Sequence, residues 1–445
     1  MQKSSLIGHT IELLDAIGST TQPADGVVKE FFRARHYLGS KDRRFITEAI
    51  YGMLRHFRLI DIVGSEVLRQ YAHALPLRRP AIVDYAAYAV RILREDPGSA
   101  HDGIAGLWRV YMPEINCMDA LTTMATVVPA PPMSANPVAH LGIIHSFPDR
   151  IVKEWVDRFG ASEAEKLCKA LNGPAPTTIR VNTLKTTVDE CQRRLANEGV
   201  TTTRTTLSPF GLKLEKRINV NAHPSYKEGL FEMQDEGSQL LSMLLNVRPG
   251  QTVVDACAGG GGKTVHLAAL MNNTGVLIAM DADEKRLSNI RPRLQRAGVT
   301  CARLYRSGYE ENEIRSLTAQ MDAVLVDAPC TGVGVFRRNP GAKRTFTSGF
   351  VESVAKTQRS ILESYFTLVR AGGVLVYCTC TLLRQENEDQ MELFLRDHPE
   401  FTLASAPEIL VNQGVQVETG SPYLTLLPHT TTTDGFFAAV LERTM

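Results

Sequence analysis

No two of the eight cysteines stand in a C-x-x-C pair. A zinc ribbon or a disulfide framework is therefore not expected, since both need thiols at regular, paired spacing. An excess of one charge is missing too. Lys and Arg number 49 against 48 Asp and Glu, a formal net charge of +1. That excludes a basic shield over the whole chain and leaves room only for local basic surface. No uninterrupted apolar run approaches the ~20 residues of a membrane span. The opening stretch, MQKSSLIGHTIELLDAI, carries Glu12 and Asp15 inside its short amphipathic run, which a secretory signal lacks. Hydrophobic residues at 44% and charged residues at 22% of a 445-residue chain exclude a largely disordered protein. At ~100–200 residues per domain, two or three domains are expected. The expectation is a reduced, cytoplasmic protein with neither membrane nor metal partner.

Three parts follow from the patterning. Residues 1–128 read as all helix, and Phe45, Ile46, Ala49, Ile50, Met53 and Leu54 form the stripe of one buried face. Gly39–Ser40 separates two such helices, with Ser40 or Asp42 as candidate cap. From Lys29 to Arg58 eight Lys/Arg face Glu30, Asp42 and Glu48, a local +5. A one-signed local excess suits RNA, although charge runs are more often solvated helix faces. Residues 129–137 carry four prolines in the stretch VVPAPPMSANP and read as a linker. Residues 138–233 read as a small α+β domain: two helices, the strand TTIRVNTLK, a helix, then two further strands. From residue 234 to 445 strands alternate with helices, which gives a doubly wound α/β sheet of Rossmann type. Ligands in such sheets lie beyond the carboxyl ends of the strands. Asp255, Asp281, Asp327 and Cys380 all fall at such ends.

The loop VVDACAGGGGKT invites two cofactors. Its tail imitates a phosphate-binding P-loop, but with Lys263 and Thr264 in register the leading glycine would be residue 257, which is cysteine. Asp255 would also repel a triphosphate. S-adenosylmethionine has an ammonium for Asp255 and a ribose diol for Asp281, 26 residues on. Glycines at 259–262 let backbone approach the ligand.

Cys330 follows the strand AVLVD and Cys380 ends the strand GVLVYCTC. A buried cysteine is usually a small hydrophobe, and that suits Cys117, Cys168, Cys191 and Cys301. Cys378 faces the same way as Cys380, so position along the strand does not choose between them. Two thiols and a carboxylate at one cofactor edge fit methylation of a pyrimidine ring carbon. A thiolate added at the neighbouring carbon turns carbon 5 of cytosine into a nucleophile. A carboxyl at the ring nitrogen steadies the developing charge, and a second base removes the carbon-5 proton.

DACAGGGGKT, DAPCTGVG, YCTCTLLRQENED and DGFFAAVLER, with PTTIRVNTLK and FEMQDEGSQLL, resemble in order the motifs of Sun-family RNA cytosine-5 methyltransferases. FRARHYLGSKDRRFITEAIYGMLR resembles the NusB-like domain that precedes the catalytic part in bacterial small-subunit rRNA members. The resemblance implies Cys380 as nucleophile, Cys330 as the thiol of product release, Asp327 as the acid at the cytosine ring and Lys263 in the active site. It implies S-adenosylmethionine contacts from Asp255, Cys257, Ala258, Gly259, Gly260, Gly261, Gly262, Lys263, Asp281, Arg286, Ser307 and Asp327. It further implies ribosomal RNA as partner and action as a monomer. Three positions depart from the family pattern: Gly260 replaces a proline, Ser307 an aspartate, and Arg344 a tryptophan. The alternatives are a non-catalytic RNA-binding assembly factor, which would not need Cys380, Cys330 and Asp327 together, and a transferase acting on protein or DNA.

Overall fold

Helical periodicity governs the first 173 residues of the computed structural model, which describes residues 1–71, 79–307, 316–417 and 420–444. Helices Lys3–Gly18, Ala24–Ala34, Ser40–Arg55, Phe57–Tyr71, Ala81–Arg91, Pro97–Tyr111 and Cys117–Thr126 share one apolar core. Of the stripe read from the sequence, Ile46, Ala49, Ile50, Met53 and Leu54 are buried and Phe45 packs partly against them. Helix Ser40–Arg55 starts where Gly39–Ser40 was expected to break the chain, and the Asp42 carboxylate accepts the Gly39 N–H at 3.2 Å.

Compact units divide elsewhere than the sequence pattern suggests. One comprises Met1–Gly173 together with Phe336–Phe346; the other comprises Pro174–Val335 and the chain from Thr347 onward. Residues 127–136 form neither helix nor strand, and Pro137 opens helix Pro137–Ile144. Helices Asp149–Phe159 and Ala161–Asn172, expected in the small α+β domain, make their packing contacts within the first unit. The reason is aromatic packing. Trp155 is fully buried with its ring edge-on to Phe147 at 5.4 Å, and Phe147 lies 6.2 Å from Phe336. Arg58 also donates to the Phe147 carbonyl at 3.0 Å and to Asp149 at 3.2 Å.

The second unit holds two sheets. Strands β1 (Thr177–Val181), β2 (Thr202–Arg204), β3 (Gly211–Leu214) and β4 (Phe231–Met233) form an antiparallel sheet in the order β2-β3-β1-β4. Three-residue β4 lies in FEMQDEGSQLL, too short for an alternation to show. The larger sheet contains β5 (Thr252–Asp255), β6 (Val276–Asp281), β7 (Ala302–Arg306), β8 (Met321–Asp327), β9 (Val369–Thr379), β10 (Phe401–Ala404), β11 (Leu424–Leu426) and β12 (Phe436–Arg443). Its order is β10-β12-β9-β8-β5-β6-β7, with β11 on β12. Strands β5 to β9 run parallel, as expected of a Rossmann-like sheet.

Two local readings change. The run VAKTQRSILESYFTLVRAGG reads as one helix stopped by its glycines, yet the helix Ser348–Tyr365 ends earlier and β9 begins at Val369. The register of β8 on β9 shifts between Met321 and Ala323, and Gly372 with φ +69° bends the strand there. The glycines thus serve a bulge. DGFFAAVLER forms β12, antiparallel to both β9 and β10. Phe436 to Leu441 are buried without a break, so no period-2 alternation marks the strand. Among the described residues no helix is long and apolar enough to cross a membrane. Among the described residues no cluster of three or more His, Cys, Asp or Glu residues is placed to hold a metal ion.

Candidate active site

Parallel strands β5, β6, β8 and β9 end on one edge of the large sheet, and β5 sits where the strand order reverses direction. That crevice is where doubly wound sheets bind ligands. Asp255 closes β5, Asp281 closes β6 and Asp327 closes β8, while Cys380 directly follows β9.

The glycine loop hangs on β6. Ala258 N–H donates to the Met280 carbonyl at 2.8 Å, and Gly259 N–H donates to Asp281 Oδ2 at 2.9 Å. Gly259 and Gly261 have φ of +55° and +77°. A Cβ at Gly261 would stand 2.9 Å from Ile290 Cγ2, so this turn needs glycine. The other Asp281 oxygen accepts from Asp283 N–H at 2.8 Å. Each oxygen keeps a lone pair that a ribose diol can meet.

Asp255 is fully buried. Its Oδ2 accepts the Thr264 hydroxyl at 2.7 Å, and its Oδ1 has no hydrogen-bond partner. Burial raises its pKa from 3.8 to about 7 against the opposing Thr264 bond. The unpartnered Oδ1 at this edge is an acceptor that the ammonium end of S-adenosylmethionine can meet, and a cation there would favour the ionised carboxylate. The folded chain holds this proton more tightly than the unfolded chain does. Stability from this group is thus full below pH 3.8 and lost as pH rises through about 7. The loss is on the order of 4 kcal/mol. Urea unfolding at pH 5 and pH 8 should show a weaker decline in Asp255→Asn than in the parent. Equal slopes would remove the buried proton from the account.

Lys263 is the lysine of the loop, and its Nζ meets Asp327 Oδ2 at 2.5 Å. Burial alone would lower its pKa, but the charge of Asp327 outweighs that and raises it. A cation so neutralised is not free for a triphosphate, which adds to the case against nucleotide binding. The other Asp327 oxygen accepts from the Cys378 thiol at 3.6 Å.

The two cysteines that strand position left equivalent are now distinct. Cys378 is fully buried and its thiol is pushed well up, first by burial and then by Asp327, so it stays protonated. Cys380 is half-buried with its Sγ 3.2 Å from Cys330 Sγ. Cys330 is pushed well above the usual thiol range, first by its bond with Cys380 and then by burial.

Glu386 was not singled out from the sequence. It is fully buried and accepts from Thr331 N–H (2.8 Å), Thr331 hydroxyl (2.5 Å), Thr381 hydroxyl (2.9 Å) and Gln358 Nε2 (3.0 Å). Thr331 and Thr381 are the residues immediately after Cys330 and Cys380. One carboxylate thus fastens both cysteine loops to each other. The visible signal was the C-T pair at each strand end, with a glutamate in the motif that follows.

Of the remaining expected cofactor residues, Cys257 is half-buried and its thiol is pushed up by burial and then by Asp327. Ser307 Oγ bonds Tyr365 Oη at 2.7 Å, while Gly308 and Tyr309 lie outside the described residues. Arg286 is exposed on helix Glu284–Ala297, 3.5 Å from Asp283. Its charge acts on the Cys257 thiol, opposing the upward push of burial.

Residues 242–442 match the family described as 16S rRNA methyltransferase RsmB/F, and residues 147–221 match its ferredoxin-like domain. The chain is 32% identical over 421 residues to a probable ribosomal RNA small subunit methyltransferase B of Synechocystis sp., covering 92% of this chain and 93% of that one. The chain belongs to this family. It is an S-adenosylmethionine-dependent methyltransferase. A protein of Bacillus subtilis with the same description is 29% identical over the full length of both chains. The crystal structure of PH0851 superposes with a TM-score of 0.76 at 27% identity, covering 100% of this chain and 99% of that one. Relatives of this family thus match the helical unit as well as the catalytic one.

Proposed function

We propose that this RsmB/F-family chain methylates carbon 5 of a cytosine in small-subunit ribosomal RNA through a covalent bond from Cys380. The observation that carries the reading is the 3.2 Å approach of Cys330 and Cys380 beside the Lys263–Asp327 pair. When bound, S-adenosylmethionine supplies an electrophilic methyl group, with Asp281 at its ribose and Asp255 at its cationic end. Cys380 Sγ forms a bond to carbon 6 of the ring, which makes carbon 5 nucleophilic. Asp327, fixed by Lys263 and Cys378, faces the ring edge and steadies the charge that develops there. Cys330, acting as a thiolate, then takes the carbon-5 proton, and the electron pair of that carbon–hydrogen bond re-forms the ring double bond as the Cys380–carbon bond breaks and Cys380 leaves as a thiolate.

All these groups come from one chain, so a single copy suffices, and residence in the cytoplasm accords with a ribosomal substrate. Bisulfite sequencing of small-subunit rRNA from cells with and without the protein tests the reading. One cytosine should lose protection in its absence, and an identical pattern would sink the proposal. Asp281→Ala should weaken S-adenosylmethionine binding by ~1.5–3 kcal/mol, the loss expected for charge-assisted hydrogen bonds. Calorimetry with unchanged affinity would remove Asp281 from the site.

RNA contact in the helical unit needs a narrower set of residues than the basic run suggests. Arg58 is spent on Asp149 and the Phe147 carbonyl, and Arg55 donates to the Arg337 carbonyl at 3.5 Å. Lys29, Arg33 and Lys41 remain exposed, as does Arg44 although it pairs with Glu48 at 2.8 Å, with Tyr37 65% exposed among them. Alanine at these four basic positions should flatten the salt dependence of RNA binding, by ~0.7 in log–log slope per lost phosphate contact with single strands. An unaltered slope would make the run a solvated face.

A further inference from the structure

The glycine loop has no side chains of its own from residue 259 to 262, yet it is held at two carbonyls. Arg180 on β1 is 1% exposed and donates from Nη1 to the Gly262 carbonyl at 2.8 Å, and the same nitrogen also bonds Gln234 Oε1. Arg293, on helix Glu284–Ala297, donates from Nη1 to the Gly260 carbonyl at 2.7 Å and from Nε to Glu232 Oε2 at 2.7 Å. Glu232, on β4, is 1% exposed, and its other oxygen pairs with Arg296. The Arg293 guanidinium is the nearest group to where a Cβ at Gly260 would stand, at 3.6 Å, and to where one at Gly262 would stand, at 3.7 Å.

We propose that Arg293, anchored by the buried Glu232, is a positioning residue for the cofactor loop. Through it the small sheet supplies the stiffness that four consecutive glycines lack. Gly260 has no side chain, and both its neighbours occupy the left-handed region, so the loop has many conformations to lose when a ligand binds. A guanidinium held at one end by a buried carboxylate has few. Its Nη1 fixes the carbonyl of Gly260 by a 2.7 Å hydrogen bond. The proposal rests on the reading that this loop holds S-adenosylmethionine.

The test uses full-length protein and calorimetric titration with S-adenosylmethionine, beside turnover at saturating cofactor. Arg293→Ala should raise the Kd about tenfold while leaving turnover at saturation within about twofold, since Arg293 reaches neither cysteine. Folding survives because Arg296 still pairs with Glu232. Arg293→Lys keeps the charge but cannot span Glu232 and Gly260 together, and should bind with an intermediate Kd. The decisive variant is Gly260→Pro in the Arg293→Ala background. Gly260 is outside the left-handed region, and its ring would occupy space that the guanidinium leaves. Proline restricts the free loop, so the double variant should recover most of the lost affinity. A general loss of structure would not be cured this way. Unchanged affinity in Arg293→Ala, with affinity lost in Asp281→Ala, would overturn the proposal and keep the loop as cofactor site. Unchanged affinity in both would remove the loop reading itself. Lost affinity without recovery in the double variant would also overturn the proposal.

Discussion

Cys380→Ala should abolish methyl transfer, and Cys330→Ala should leave RNA joined to the protein. The two thiols are 3.2 Å apart but differently placed. Cys380 is the group that bonds to the ring, so without it there is no covalent step and no adduct. Cofactor binding should persist, because Asp255 and Asp281 lie on β5 and β6. Without Cys330 the attack still occurs, but the carbon-5 proton is not taken efficiently and the Cys380–carbon bond persists. The adduct should survive denaturing electrophoresis and require S-adenosylmethionine to build up; the double variant should give none. The substrate is ribosomal RNA free of modification. An adduct from Cys380→Ala but not from Cys330→Ala would reverse the two roles. Cys378→Ala is the internal control: its thiol faces Asp327 and stays protonated, so it should form no adduct and retain the covalent pathway.

The second large effect is expected at Glu386, which touches neither thiol. Its carboxylate takes hydrogen bonds from the residues after both cysteines and from Gln358. Glu386→Ala leaves these buried donors without acceptors, a loss of about 3 kcal/mol in stability. The two loops then lose their common tie. A displacement near 1 Å at reacting groups costs ~100-fold in rate, so turnover should fall by about that factor. Calorimetric affinity for S-adenosylmethionine should not change, since the carboxylates at β5 and β6 are not involved. Glu386→Gln keeps an oxygen for Thr331 but turns an amide N–H₂ towards Thr381, and should fall between. Full turnover by a folded Glu386→Ala protein would show that the loops hold their spacing without it.

Legibility followed the range of the interactions. Where strand, loop and helix are consecutive in the chain, local pattern sufficed: the glycine loop, Asp255, Asp281, Asp327 and both strand-end cysteines were placed from the sequence, and the structure brings their strand ends to one edge. The helical face of Ser40–Arg55 was equally readable, because a 3.6-residue period is written within a single element. Antiparallel β12 was not, since a strand buried on both faces loses its alternation. Nor was the division of the chain: Trp155, Phe147 and Phe336 come from three separate segments, and their packing, not a composition change, draws helix Asp149–Phe159 into the first unit. Strand position alone left Cys378 and Cys380 equivalent; the family resemblance named Cys380, and the partner each thiol meets gives the physical distinction. Glu386 and Arg293 needed their partners as well. Each is an ordinary charged residue in the linear order, and each acquires its role from atoms tens of residues away: Thr331 lies 55 positions from Glu386, and Gly260 lies 33 from Arg293. The sequence by itself determined that acidic residues and two cysteines fall at the strand ends of an α/β sheet. Only the tertiary structure decided how they are held, because the hydrogen bonds that hold them join segments whose spacing along the chain carries no periodic signal.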